Sequence, residues 1–124
     1  MIKNKIPFLV AEISANHCGN INLAKKLIDA VHACGWHCAK FQKRNNKELL
    51  TEQQYNMPHP NPINSYGDTY GAHREFLEFD VNQHKELKAY AESLGLIYST
   101  SVWDTTSAKE IVSINPELIK VPSA

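Results

Sequence analysis

No apolar run in the chain approaches the roughly eighteen residues that a bilayer-spanning helix requires, and no membrane partner is expected. Charge of either sign is not in excess, since thirteen basic residues stand against thirteen acidic ones. That balance removes the electrostatic case for a nucleic-acid partner. Glycine is scarce, five in 124 residues, and no GxGxxG or Walker-type phosphate loop is formed. GxSxG, HExxH and CxxC spacings are missing too, which leaves hydrolase elbows and zinc sites without support. There are three cysteines, Cys18, Cys34 and Cys38, an odd number on segments that read as packed. Free core thiols in a reducing cytoplasm are therefore expected, although His32, Cys34, His37 and Cys38 crowd together. The basic residues of segment 1–7 run straight into an apolar stretch with no small-residue cleavage site, so a signal peptide is not expected.

What the chain does have is alternation of strand-like and helix-like segments. Residues 8–10, Phe-Leu-Val, read as a strand buried on both faces, with an acid, Glu12, inside the same run. A buried carboxylate is costly unless a cation, a hydrogen-bond network or a substrate meets it. Asn20 or Asn22 then caps a helix with apolar positions Leu23, Leu27, Ile28, Val31 and Cys34, a 3.6-residue period stopped by Gly35. Residues 36–42 form a second strand. Segment 43–79, with Pro58, Pro60, Pro62, Gly67 and Gly71, reads as a long irregular rim loop. Its aromatics argue for packing, with one helical turn near 72–77.

Asp80 and Gln83 make a capping pair that starts a helix at Val81, closed by Gly95. Residues 96–101 are a third strand. Thr105 or Thr106 caps a further helix ending at Asn115-Pro116, and residues 118–122 are a fourth strand. Strand–helix–strand–long loop–helix–strand–helix–strand predicts an α/β fold with a parallel sheet. A doubly wound sheet and a (β/α)8 barrel both begin this way. The barrel is favoured because every strand ends in chemistry, whereas a dinucleotide-binding start concentrates glycines at its first turn.

In parallel α/β folds the carboxyl ends of the strands share one face, and ligands bind there. That face collects Glu12, Lys40, Gln42, Ser99, Thr100, Ser101, Lys120 and Ser123. Lys40 and Gln42 are two apart and point the same way. Two lysines with several hydroxyls suit an anion carrying several oxygens, a phosphate or a carboxylate.

Ala11-Glu-Ile-Ser-Ala-Asn-His-Cys-Gly19 resembles the A-E-[IM]-x-x-N-H-x-G opening of the N-acetylneuraminate (sialic acid) synthase family. Lys40-Phe-Gln42 is similar to its K-[FL]-Q, Ser99-Thr-Ser101 to its S-T-[PS], and Lys120-Val-Pro-Ser123 to its K-[IV]-x-S. The four matches fall in order, each at a strand end, with Ser101 standing where many members have proline. The resemblance implies the N-terminal half of a TIM (β/α)8 barrel over residues 1–124. It also implies condensation of phosphoenolpyruvate with an N-acylated hexosamine such as N-acetylmannosamine, giving a nonulosonic acid and phosphate. Carried over, Lys40, Thr100, Lys120 and Ser123 would hold phosphoenolpyruvate, with Lys40 and Lys120 as catalytic charge. Glu12, also catalytic, and Gln42 would bind the sugar hydroxyls and orient its aldehyde, while Asn16 and His17 would position the first rim loop.

In the family a divalent metal, Mn or Mg, polarises that aldehyde; its histidine ligands belong to the second half of the barrel, and none is expected within this chain. Four strands do not close a barrel, so the sequence is read as a truncated fragment, inactive by itself. Two further readings stay open: a non-catalytic half-barrel module that homodimerises through its open edges, and another phosphoenolpyruvate or aldol-type barrel enzyme using a Schiff-base lysine.

Overall fold

The structure, a computed structural model, describes residues 6–123. Residues 1–5, which carry the basic residues of the lead-in, and Ala124 lie outside the described residues. Four strands, β1 (Val10–Glu12), β2 (Cys38–Lys43), β3 (Ile97–Val102) and β4 (Leu118–Lys120), form one sheet in the order β1-β2-β3-β4. Every pairing is parallel. A doubly wound sheet would place its first strand inside the sheet, between the second strand and either the third or the fourth. Strictly sequential neighbours joined by helical crossovers are the opening of a (β/α)8 barrel.

Helix α1 (Ile21–Ala33) starts where the Asn20 side chain accepts from the Leu23 N–H at 3.0 Å. It stops at Gly35, whose φ of 71° is open to glycine at little cost. In α5 (Val81–Ser93) the capping box is complete: Gln83 N–H donates to Asp80 Oδ1 at 2.8 Å, and Asp80 N–H donates to Gln83 Oε1 at 2.9 Å. For α6 (Thr105–Ser113) the cap is Asp104, one residue earlier than the expected threonines. Its carboxylate accepts from Ser107 N–H and also from Asn45 N–H at 2.6 Å, a second bond that neither threonine hydroxyl supplies.

Ala39, Phe41 and Tyr98 face α1 and α5, packing with Ala24, Ile28, Val31, Leu87 and Ala91 into one core. Each large side chain in it contributes about 1.5–3 kcal/mol of burial, which fixes which strand residues point at the helices and which do not. β1 departs from expectation. Phe8 and Leu9 are exposed and the strand begins only at Val10, because β1 is an edge strand with one neighbour. Of the thiols only Cys38 is buried, and burial pushes it up to about 11. Cys18 and Cys34 are exposed: Cys34 caps α1 where the chain turns away from the sheet, and Cys18 sits in a turn at φ 51°.

About half of the excursion 43–79 is helical, more than the single turn expected. It carries α2 (Asn46–Leu49), α3 (Glu52–Asn56), a 3-10 turn (Pro62–Asn64) and α4 (Tyr70–Phe76). Thr51 and Gln54 form a capping box for α3, and Thr69 Oγ1 accepts from Ala72 N–H at 3.1 Å to start α4. This unit clamps onto the β1–α1 turn. At Gly19, φ is 71° and an added Cβ would lie 2.3 Å from the Phe76 carbonyl oxygen. Gly19→Ala is expected to destabilise the fold by roughly 2–4 kcal/mol, combining left-handed strain with overpacking against backbone. Urea denaturation checks this; a midpoint equal to the parent's would show that the clamp yields freely.

Candidate active site at the strand ends

Strand register sorts the candidate residues into two rows on the sheet face that turns away from the helices. The lower row runs Glu12–Lys40–Ser99, and the upper row runs Gln42–Ser101–Lys120. Paired residues of adjacent parallel strands share a face, and residues one apart do not. Glu12, Lys40, Gln42 and Lys120 are therefore brought together as the sequence predicts.

Lys40 Nζ forms an ion pair with Glu12 Oε2. The burial is the reverse of the expectation: the Lys40 side chain is 10% exposed and that of Glu12 51%. Position explains it, since Lys40 is on an inner strand and Glu12 on the edge strand. Beside Lys40, Ser99 Oγ is fully buried and has no hydrogen-bond partner among the described residues. An unpaired buried hydroxyl costs about 1–3 kcal/mol, and this one stands on the same face as the Lys40 ammonium, paired with it in register. In the upper row Lys120 is exposed and Ser101 buried. Ser123 follows β4 and is exposed.

Thr100 departs from the group. It pairs with Phe41 in register and lies fully buried on the helix side, its Oγ1 donating to the Ser101 carbonyl at 3.4 Å. Strand alternation is the reason: Ser99 and Ser101 take the Lys40 face, so the residue between them cannot. Asn16 is exposed, and its Nδ2 donates to the Ile13 carbonyl at 2.9 Å. His17 is buried at 3% exposure and stacked on Phe79 at 4.1 Å between ring centroids. Its Nδ1 accepts from Gly19 N–H at 3.1 Å, and burial holds its pKa down at about 4. Both residues shape the β1–α1 turn; the His17 ring lies on the core side and not at the mouth.

Two residues at the mouth carry no mark in the expected set. Ser14, at φ 53°, accepts from Gln42 Nε2 at 2.5 Å through its Oγ. Arg44 Nη2 donates to Gln42 Oε1. The signal for Arg44 was the two-residue alternation Lys40–Gln42–Arg44, carried one step past the strand. Among the described residues no three His, Cys, Asp or Glu side chains gather into a metal-binding group. The described side chains do not by themselves supply the ligand set of a divalent cation. Among those residues also, no helix is long and apolar enough to cross a membrane.

Residues 27–124 match the profile of the NeuB family. The chain is 38% identical over 121 residues to N-acetylneuraminate-9-phosphate synthase of Mus musculus, covering 94% of this chain and 32% of that protein. It is 27% identical over 119 residues to N,N'-diacetyllegionaminic acid synthase of Campylobacter jejuni, covering 96% and 36%. It thus spans about a third of the length of these curated relatives. In fold it is similar to the N-acetylneuraminic acid (sialic acid) synthetase of Leptospira borgpetersenii. The TM-score there is 0.73 at 22% identity, over 95% of this chain and 36% of that one.

Proposed function

This chain belongs to the NeuB family, and from that premise we propose that it supplies the phosphoenolpyruvate site of a nonulosonic acid synthase. The reaction is condensation of phosphoenolpyruvate with an N-acylated hexosamine, N-acetylmannosamine or a relative. The observation that carries this reading is the pair of rows Glu12–Lys40–Ser99 and Gln42–Ser101–Lys120 across four consecutive parallel strands. Lys40 and Lys120 hold the phosphate and carboxylate, with Ser99 and Ser101 donating from between them. Ser123 extends the anion site at its outer end. Thr100, whose hydroxyl is engaged on the other face, takes no direct part.

Glu12 and Gln42 hold the sugar: the carboxylate accepts from a hydroxyl, and the amide orients the open-chain aldehyde. The enol π pair of carbon-3 attacks that aldehyde carbon, forming the C–C bond and leaving carbon-2 electron-poor, while the aldehyde oxygen takes up a proton that the water adding at carbon-2 gives back. Water adds at carbon-2, and the C–O bond to phosphate breaks, releasing inorganic phosphate. Fixed ammonium groups stabilise the departing phosphate without reorganising. Asn16 and His17 contribute by fixing the turn that carries Ser14.

The test is phosphate release from phosphoenolpyruvate in the presence of N-acetylmannosamine, supplied with and without a phosphate on its primary hydroxyl. It is measured on the full-length protein that carries these residues and on the 124-residue chain. Sugar-dependent release is expected from the former, and binding without turnover from the latter. Release that ignores the sugar, or none from the full-length protein with any N-acylhexosamine, would sink the assignment.

A further inference from the structure

The amide of Gln42 is gripped at both ends, by Arg44 Nη2 at its oxygen and by Ser14 Oγ at its nitrogen. A guanidinium carries only donors. The oxygen of Gln42 must therefore face Arg44, one Nε2–H goes to Ser14, and the second Nε2–H is left over. Arg44 is itself held from outside β2. Its backbone N–H donates to Glu78 Oε2 at 3.1 Å, Nη1 lies 3.7 Å from Glu78 Oε1, and the guanidinium carbon sits 4.7 Å from the Trp103 ring centroid. The two charged side chains are only 14% and 11% exposed, so this is no solvent-screened surface pair. Glu78 comes from the segment between α4 and α5, and Trp103 from the turn between β3 and α6.

We propose that Arg44 is a positioning residue that locks the Gln42 amide in one of its two flip states, so that it offers the amino sugar an N–H and never its oxygen. The inference rests on the sugar-binding reading of Gln42 given above. It assigns a chemical sense to that contact: the sugar group met by Gln42 is an acceptor, a carbonyl or hydroxyl oxygen. It also gives the excursion 43–79 a part in the site, because Glu78 fixes the arginine that fixes the amide. An amide released from Arg44 keeps only Ser14, whose hydroxyl both donates and accepts, so both flip states are open to it and the sugar meets the wrong atom in one of them.

The experiment is a kinetic cycle on the full-length protein that carries these residues: Gln42→Ala, Arg44→Met and the double variant. Each single change is expected to raise KM for the amino sugar roughly tenfold, the worth of about one hydrogen bond, while KM for phosphoenolpyruvate stays within a factor of about two. The double variant is expected to be no worse than Gln42→Ala alone, since nothing remains to be positioned. Arg44→Lys, which keeps a charge opposite Glu78 but lacks the fork, covers the case in which Arg44→Met does not fold. It is expected to shift the Gln42 side-chain NH2 resonances while the backbone spectrum of α1 and α5 is retained. Additive losses in the double variant, or Arg44→Lys with a parental sugar KM and unmoved amide resonances, would overturn the inference alone. A Gln42→Ala variant with unchanged sugar KM would overturn the sugar-binding reading and the inference with it.

Discussion

Lys40→Met is expected to lower kcat/KM for phosphoenolpyruvate by about 10²–10³, the scale of removing one preorganised charge from a reacting oxyanion, with the fold nearly untouched. Two features of the site separate these effects. The ammonium is buried while its partner carboxylate is half in solvent, so deleting the lysine lets Glu12 rehydrate and leaves no uncompensated buried charge. Methionine has a similar length and no charge to desolvate, and exchanges of that kind often come close to neutral in stability. The reciprocal change is expected to behave in the opposite way. Glu12→Gln strands a buried ammonium, which costs about 2–3 kcal/mol, below the 3–5 typical of fully buried pairs because Glu12 is partly hydrated. Steady-state kinetics and urea unfolding on both variants check the two halves together. A Lys40→Met enzyme whose kcat/KM stays within a factor of about three of the parent would remove Lys40 from the anion site.

The features of the fold legible in the sequence are those written in local spacing. Asp80 and Gln83 are three apart, and their capping box needs no distant partner to form. Sequential parallel strands follow from strand–helix alternation, and Lys40 and Gln42 share a face because they are two apart. Thr100 was legible by the same rule, since alternation along Ser99-Thr-Ser101 forces it to the opposite side from its neighbours; motif similarity pointed the other way and geometry prevailed. Burial of β1 was not legible, because hydropathy does not say which strand lies at an edge. Nor was the excursion: prolines at 58, 60 and 62 hide two threonine-capped helices on either side of them. Arg44 needs Glu78 and Trp103, 34 and 59 positions away, and no local pattern foretells contacts at that separation.

Loss of stability in mild acid is the other large effect expected, and it originates on the helix face rather than at the mouth. Burial holds His17 down at about 4 and His84 at about 3, with Lys43 and His17 lowering His84 further and Asp80 opposing. His84 Nδ1 lies 2.6 Å from the Tyr98 phenol, whose own pKa is raised by burial, so the phenol keeps its proton. The phenol and Nδ1 share one hydrogen bond, and Nε2 is buried with no partner among the described residues, so a doubly protonated ring would carry a buried, unpaired N–H. In the unfolded chain both rings titrate near 6.5. The unfolded state therefore binds more protons below that pH, and stability falls as pH drops from 6.5 toward 4.

Each ring contributes a limiting slope of about 1.4 kcal/mol per pH unit. Together they remove on the order of 5 kcal/mol across the window, a large share of the 5–15 typical of a domain. Glu78, raised mainly by burial, works in the opposite direction as it takes up its proton, and offsets part of the loss. Asp104 adds to the loss only at lower pH: burial alone would raise it, but bonds from Ser107 and Asn45 hold it below its usual range. Urea midpoints between pH 7 and 4 are expected to decline steadily. His84→Gln, whose carbonyl still accepts from Tyr98 but does not titrate, is expected to cut the slope to about half. A slope identical to the parent's would show that His84 has no share in the acid sensitivity.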